Sequence, residues 1–388
     1  MNFETLVVIV LAGLGGPLLG VVQHRFVPVV AGEILAGILV GPHVIGAVDP
    51  AKGTISFLSE VGFAMLMLTA GMHLPLRDAR LAAAARVGFA RAAAVCLLAL
   101  PAGLLAAAVA GGGHAAVYAV VLASGSAAVL LPAFEEAGLD GTEAIAVIAQ
   151  VTIADVLTIL SVPVVLEPSR IGHAALGTAY VLGAAAALLA LARTLAGSSW
   201  IDHVRHLSKR RHWALDLRVS LIVLFLLAWL AQEGGTSILV AGFGAGVMVA
   251  LIGGPKRLST QVRGIADGFF VPLYFVVLGA RLDISGLAEE PSLIALAAAL
   301  VLLNVLLHVL VTVALRGRAA SGLAATAQLG VPAAVASIGL SQHVLSATTA
   351  TAIVLAALAS VAVATLGVEL LAAREGREPP ATAPVARA

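Results

Sequence analysis

Long apolar runs separated by short polar connections extend along almost the whole chain. The runs are rich in Ala, Leu and Val and lack the two-residue alternation that is typical of barrel strands. Each is roughly 17–25 residues long, enough to cross a bilayer as a helix that satisfies its own backbone groups. The pattern therefore predicts an all-α membrane protein of about thirteen transmembrane helices. The predicted spans are 6–22, 27–44, 55–73, 87–110, 115–134, 143–166, 174–195, 214–231, 237–252, 269–282, 293–315, 322–340 and 347–371.

Two of these spans, the fifth and the twelfth, are interrupted by polar and helix-breaking residues. The fifth contains ASGSAAVLLP, with Ser124 and Ser126, and the twelfth contains TAQLGVP, with Gln328. Discontinuous helices at corresponding places in two halves of a chain are typical of the substrate site of a transporter. Each break alone is also compatible with ordinary Gly and Pro in close-packed membrane helices.

Asp155 is the outstanding candidate functional residue. It lies inside the apolar sixth span, which carries no other charge between Glu143 and Glu167. A carboxylate in such a segment is costly and persists where it faces a watery cavity, binds a cation or carries a proton. Thr158 shares its helix face and could lend an oxygen, and Thr152 lies one turn before it. The alternative is an aspartate that only ties helices together.

Other polar residues inside the spans are weaker candidates for a second proton site. Glu33 lies in the second span, and Asn304 and His308 lie one turn apart in the eleventh. Histidine titrates near neutrality, and an amide inside a bilayer needs a partner. For most of these residues a structural role is the more economical interpretation.

Composition excludes several classes of protein. The chain is 61% hydrophobic and 11% charged, whereas soluble domains are about 45–50% apolar and about 25% charged. Its one cysteine, Cys96, excludes an internal disulfide. Metal motifs, glycine-rich phosphate loops and hydrolase elbows are absent from the sequence, so we expect no cofactor and no enzymatic activity. The sequence has no extended basic face with aromatic residues, so we expect no nucleic-acid partner.

The charges predict the orientation in the membrane. All of the 22 lysines and arginines except Lys52, Arg170 and Arg281 fall in the loops and tail of one side. The positive-inside rule then places the N-terminus outside and the C-terminus in the cytoplasm. The predicted transmembrane domain is 1–372, with a basic cytoplasmic loop at 196–213 that contacts lipid headgroups or serves as a linker, and a disordered cytoplasmic tail at 373–388.

Several motifs together resemble the monovalent cation:proton antiporters, in the bacterial sodium/hydrogen exchanger branch that includes potassium-efflux antiporters. They are VPVVAGEILAGILVGP, FLSEVGFAMLMLTAGMHL, LASGSAAVLLPAFEEAGL, IADVLTIL, SILVAGFGAGVMVA and FFVPLYFVVLGARLDI. The resemblance covers about residues 5–372. It implies inverted repeats with two crossing discontinuous helices, a core domain, a dimerisation domain and a homodimer in the inner membrane. It further implies elevator-like transport, with Asp155 as the residue that binds Na⁺ or K⁺ and H⁺, and with Ser124 and Ser126 in the broken-helix stretch.

The sequence departs from this family pattern at three places. Relatives often carry Asp or Asn where this chain has Ala154, and electrogenic relatives carry a lysine near the position of Asn304. Many relatives also have a charged stretch where this chain reads Gln328-Leu329-Gly330. With one ionisable group left, we expect electroneutral exchange. A channel or uniporter, and a non-transporting membrane sensor or scaffold of the same fold, are the alternatives.

Overall fold

The computed structural model describes residues 3–22, 29–74, 79–195, 198–211, 213–253 and 256–374. These residues form helices and connections without any strand. The helices are α1 (Phe3–Gly13), α2 (Gly15–Val22), α3 (Val29–Val40), α4 (Gly53–Met72), α5 (Ala79–Val109), α6 (Ala115–Ala123), α7 (Ala127–Glu136), α8 (Thr142–Leu166), α9 (Ile171–Leu195), α10 (Ser199–Arg210), α11 (Leu215–Glu233), α12 (Ile238–Ile252), α13 (Lys256–Ile265), α14 (Val271–Ala280), α15 (Ile284–Glu289), α16 (Pro291–Ala314), α17 (Ala319–Ala324), α18 (Gly330–Ser341) and α19 (Ala347–Arg374). A 3-10 turn, Pro168–Arg170, precedes α9, and a π turn, Ala266–Phe270, joins α13 to α14.

The helices follow the apolar segments of the sequence. In the described ranges, nine helices are long and apolar enough to cross a membrane, and four shorter apolar helices occupy 3–19, 29–40, 238–252 and 330–341. The all-helical class is therefore confirmed, while the number of membrane crossings stays a prediction. The tenth span is predicted to begin at residue 269. The helical segment begins earlier, at Lys256, because the π turn joins α13 to α14.

The fifth and twelfth spans are interrupted as the sequence predicts. The α6 helix ends at Ala123 and α7 begins at Ala127, with Ser124 and Ser126 in extended conformations. In the twelfth span α17 ends at Ala324 and α18 begins at Gly330. Gly favours such breaks because it loses much backbone entropy in a helix, and Ser favours them because its hydroxyl can bond backbone groups in non-helical conformations.

The chain divides into two compact units, each made of two separate stretches of sequence. Unit 1 takes its residues from Met1–Arg77 and Ile159–Ser285, and unit 2 from Asp78–Thr158 and Gly286–Ala388. Unit 2 contains a long helix, an interrupted helix and a second long helix twice over: α5, α6/α7 and α8 as far as Thr158, then α16, α17/α18 and α19. Asp155 and both interruptions therefore belong to unit 2.

Unit 1 is held together by apolar contacts and close backbone approach. One cluster joins Ile9, Val48 and Ile55 to Leu273 and Val276. Helices α3 and α14 approach so closely that a Cβ on Gly37 would overlap the backbone of Val276. Small residues permit this kind of packing between membrane helices.

Two predicted segments look different in the structure. The 196–213 segment, predicted as a loop, contains the helix α10, where the backbone N–H of Leu215 donates to Ser208 Oγ at 3.2 Å. The predicted tail begins at residue 373, but α19 continues to Arg374, and residues 375–388 lie outside the described residues. Arg91, which the orientation prediction assigns to the loops of the cytoplasmic side, is buried within α5.

We expect Gly37→Ala to lower the free energy of unfolding by about 1–3 kcal/mol, because the added Cβ overlaps a backbone that cannot move aside. Thermal unfolding of the detergent-solubilised protein measures this loss. The matched control is Gly172→Ala in α9, where an added Cβ meets open space. An equal melting temperature for wild type and Gly37→Ala would contradict the packing described for α3 and α14.

Candidate ion-binding site

The carboxylate of Asp155 is held at the beginning of a half-helix. Its Oδ2 accepts a hydrogen bond of 3.1 Å from the backbone N–H of Ala127, the first residue of α7. The first N–H groups of a helix have no acceptor within the helix, and the helix dipole favours negative charge there. The arrangement therefore stabilises an anionic carboxylate in apolar surroundings.

The break between α6 and α7 reaches α8 because its central residue is glycine. A Cβ on Gly125 would lie 2.8 Å from Val151 Cβ and 3.0 Å from Val151 Cα. Ser126 is the N-cap residue of α7, yet its side chain makes no capping hydrogen bond. The N-terminus of α7 is capped instead by Asp155 from another helix.

Two threonines on α8 flank Asp155 in sequence. Thr158 is buried, and its hydroxyl lies 2.7 Å from Ala154 O and 3.3 Å from Asp155 O, so its proton is donated to the backbone of its own helix. Thr152 is also buried, and its Oγ1 has no hydrogen-bond partner among the described residues. A buried hydroxyl without a partner is costly unless water or a ligand satisfies it. Thr152 thus offers a free oxygen one turn from Asp155.

A neutral hydrogen-bonded network connects the two interruptions. The Ser124 hydroxyl lies 2.7 Å from Val121 O and 3.0 Å from Gln328 Oε1, and its one proton can be donated to only one of them at a time. Gln328 Nε2 donates to Ser360 Oγ at 3.4 Å. Because Ser124 lies in the first break and Gln328 in the second, this network fixes the two breaks against each other.

The same network extends to α16. Asn304 Nδ2 donates to Thr326 O at 3.0 Å and to Ser360 Oγ at 3.1 Å. All of these side chains are buried. The Nδ2 group of Asn304 thus has the acceptors that a polar group inside a bilayer requires. Asn304 Oδ1 has no partner in the part of the chain that the structure describes.

The remaining predicted candidates lie elsewhere. His308 is buried on α16, where its Nδ1 lies 3.0 Å from Asn304 O on its own helix. Glu33 is buried on α3 in unit 1, and its Oε2 has no partner among the described residues. The structure therefore brings Asp155 to the α7 N-terminus and Ser124 to Gln328, and it shows His308 in contact with its own helix.

Sequence reasoning missed Ser360 and Thr326, which complete the network. Ser360 is a hydroxyl within the otherwise apolar stretch IVLAALASVAVA of α19, and its Oγ also donates to Ala356 O at 2.9 Å. An isolated polar residue in that stretch was the available signal. Within the described ranges, no group of three or more His, Cys, Asp or Glu residues could hold a metal ion. Asp155 at the α7 N-terminus is the candidate cation site.

Interrupted membrane helices, one of which holds a carboxylate at its half-helix N-terminus, are typical of secondary transporters. The transmembrane family described as sodium/hydrogen exchanger matches residues 6–374. The chain belongs to this family.

Curated relatives carry the names of transporters. The chain is 25% identical over 383 residues to the putative Na(+)/H(+) antiporter YjbQ of Bacillus subtilis, covering 92% of this chain and 61% of the relative. It is 24% identical to the Na(+)/H(+)-K(+) antiporter GerN of Bacillus cereus, over 75% of each chain. It is 27% identical to the glutathione-regulated potassium-efflux system protein KefC of Shigella sonnei, over 68% of this chain and 42% of that one. The chain thus spans about three fifths of the length of YjbQ and less than half of KefC.

The fold is also that of a solved antiporter. The sodium proton antiporter MjNhaP1 from Methanocaldococcus jannaschii superimposes with a TM-score of 0.64 at 16% identity, covering 96% of this chain and 97% of that one. At this identity the likeness establishes the fold alone.

We expect Ser360→Ala to lower the free energy of unfolding by about 1–3 kcal/mol, because Gln328 loses its Nε2 acceptor and Asn304 keeps only one of its two. Thermal unfolding in detergent measures the change. The control is Ser341→Ala, which removes an exposed hydroxyl with the same kind of bond to its own helix. If both variants have the melting temperature of the wild type, the network does not stabilise the contact between the two breaks.

Proposed function

We propose that the protein is a secondary active transporter that exchanges a monovalent cation, Na⁺ or K⁺, for H⁺ across the cell membrane. The observation that carries this proposal is the hydrogen bond from the Ala127 N–H to the Asp155 carboxylate. Ala127 is the first residue of α7, the second half of an interrupted helix. Membership of the sodium/hydrogen exchanger family and the names of the relatives support the same class of transport.

In the proposed mechanism, Asp155 alternately binds a proton and a cation. A proton on the carboxylate cancels the charge that would attract a cation, so the two cargoes compete for one group. A bound cation would take further oxygens from Thr152, Ser126 or Thr158, which lie on α8 or at the break before α7. In this proposal the Ala127 N–H, which donates to Asp155 in the structure, keeps the carboxylate in place in both loaded states.

We further propose that alternating access is of the elevator type and that unit 2 is the part that carries the ions. Asp155, its partner Ala127 and the network from Ser124 to Asn304 all belong to this one compact unit. A group of helices that keeps its own polar contacts can move without exposing them to lipid. Unit 1 is then the proposed dimerisation domain of a homodimer, with the N-terminus outside and the C-terminus in the cytoplasm.

Two other functions remain as outcomes of the test. A channel would need a continuous series of pore ligands, whereas the proposal needs one site, made of groups on α8 and at the break before α7. A sensor or scaffold of the same fold would show no Asp155-dependent flux.

We expect Asp155→Asn to reduce cation-driven proton movement in inverted membrane vesicles to that of vesicles without the protein, because an amide cannot take up a proton. Na⁺, K⁺ and Li⁺ are each added across a range of pH, and a pH-sensitive dye reports proton movement. Glu136→Gln, which changes an exposed carboxylate at the end of α7, is the matched control and should retain exchange. Exchange that survives in Asp155→Asn would show that Asp155 is structural.

We expect exchange to be electroneutral, because one carboxylate carries one proton in one direction and one monovalent cation in the other. In proteoliposomes, a cation gradient should then drive proton movement without a transient current, and an imposed membrane potential should leave the rate unchanged. A substantial current on addition of the cation would overturn the one-for-one stoichiometry.

A further inference from the structure

A charged pair lies inside unit 2 and takes no part in the proposed ion site. Arg91, on α5, is 2% exposed, and its Nη2 donates to Glu143 Oε1 at 3.1 Å. Glu143 lies in the first turn of α8, the helix that carries Asp155. The pair therefore links α5 directly to the beginning of the Asp155 helix.

A third segment meets the same carboxylate oxygen. The backbone N–H of Arg318, just before α17, donates to Glu143 Oε1 at 3.3 Å. The neighbouring Gly317 leaves the necessary room, since a Cβ there would overlap Arg91 Nη2 and lie 2.8 Å from Glu143 Oε1. One oxygen of Glu143 thus joins α5, α8 and the entry to the second interrupted helix.

Stability alone accounts poorly for this arrangement. The pair uses a single guanidinium nitrogen, and Arg91 Nε and Nη1 are buried without partners among the described residues. Desolvation of a buried ion pair can cost as much as its attraction returns, so such a pair is weak evidence of a stabilising role. What a directional, buried contact does supply is a fixed position for the groups that it joins.

We propose that Arg91 and Glu143 are positioning residues that set the axial position and the rotation of α8. In this way they determine how closely Asp155 approaches the Ala127 N–H. The helix is continuous from Thr142 to Leu166, and the two acidic residues on it lie about 18 Å apart along its axis. A continuous helix transmits a displacement of its first turn to its middle. Between them, Gly88 of α5 packs against Ala149 at a distance that admits no Cβ, so the same two helices touch twice.

The proposal rests on the proposed function for its transport readout, and it has a second readout that needs no transport. Hydrogen exchange of the segment 124–130 reports whether the Ala127 N–H is still donated to Asp155. The variants are Arg91→Gln, Glu143→Gln and the double variant. The matched controls are Arg86→Gln, an exposed arginine on the same helix, and Glu136→Gln.

Glu143→Gln should have the largest effect, because it leaves the buried guanidinium without a counter-charge. We expect a rise in the apparent KM for the cation of roughly two- to thirtyfold, the range of coupling between a remote contact and a binding site. Hydrogen exchange at 124–130 should become faster, as in Asp155→Ala, which removes the acceptor of the Ala127 N–H and is the positive control. The double variant, which removes both charges, should recover part of the loss seen in Glu143→Gln.

Two results would overturn the proposal. One is a set of folded variants with lower melting temperatures but with wild-type KM and wild-type protection at 124–130, which would make the pair structural only. The other is a double variant that is no better than Glu143→Gln. If the wild type itself shows no exchange, the proposed function fails, and protection at 124–130 still decides whether the pair positions α8.

Discussion

The hydrogen bond between Asp155 and the backbone N–H of Ala127 joins two features that would each be costly alone. A helix that stops inside a bilayer leaves N–H groups that lipid cannot satisfy, and a carboxylate there lacks the water that normally stabilises its charge. Placed together, the free N–H and the dipole of α7 serve the carboxylate, and the carboxylate caps the helix. The close approach at Gly125 is what permits this, so the break and the acidic residue depend on each other.

The second interruption is held in a different way. Its Gln328 is bonded to Ser124 and Ser360, and Asn304 completes the contact with Thr326, all through neutral groups. Neutral amides and hydroxyls satisfy each other without adding charge to the unit. Because these partners supply position but no charge, Asp155 is the group whose charge a cargo ion would balance, and this is the basis of the one-for-one exchange proposed above.

Both units contain glycines that let helix backbones meet, such as Gly37 against Val276 in unit 1 and Gly88 against Ala149 in unit 2. In unit 2 buried polar side chains tie the helices together at two levels, the Ser124–Gln328 network and the Arg91–Glu143 pair. Directional bonds hold a carboxylate to a defined position more strictly than apolar contact does.

The sequence by itself determined the helical class, the places of the apolar helices, the two interruptions and the isolation of Asp155. Hydropathy, helix breaking and the cost of a buried charge are properties of short stretches, so they can be read locally. The helix α10 within a predicted loop and the extension of the tenth span through a π turn were not predicted, because weakly apolar, charged stretches give no span signal. Which side chains meet was decided only by the tertiary structure. Ser124 with Gln328, Asn304 with Ser360 and Arg91 with Glu143 are paired across long separations in sequence, and such pairs depend on which helices pack together rather than on local sequence.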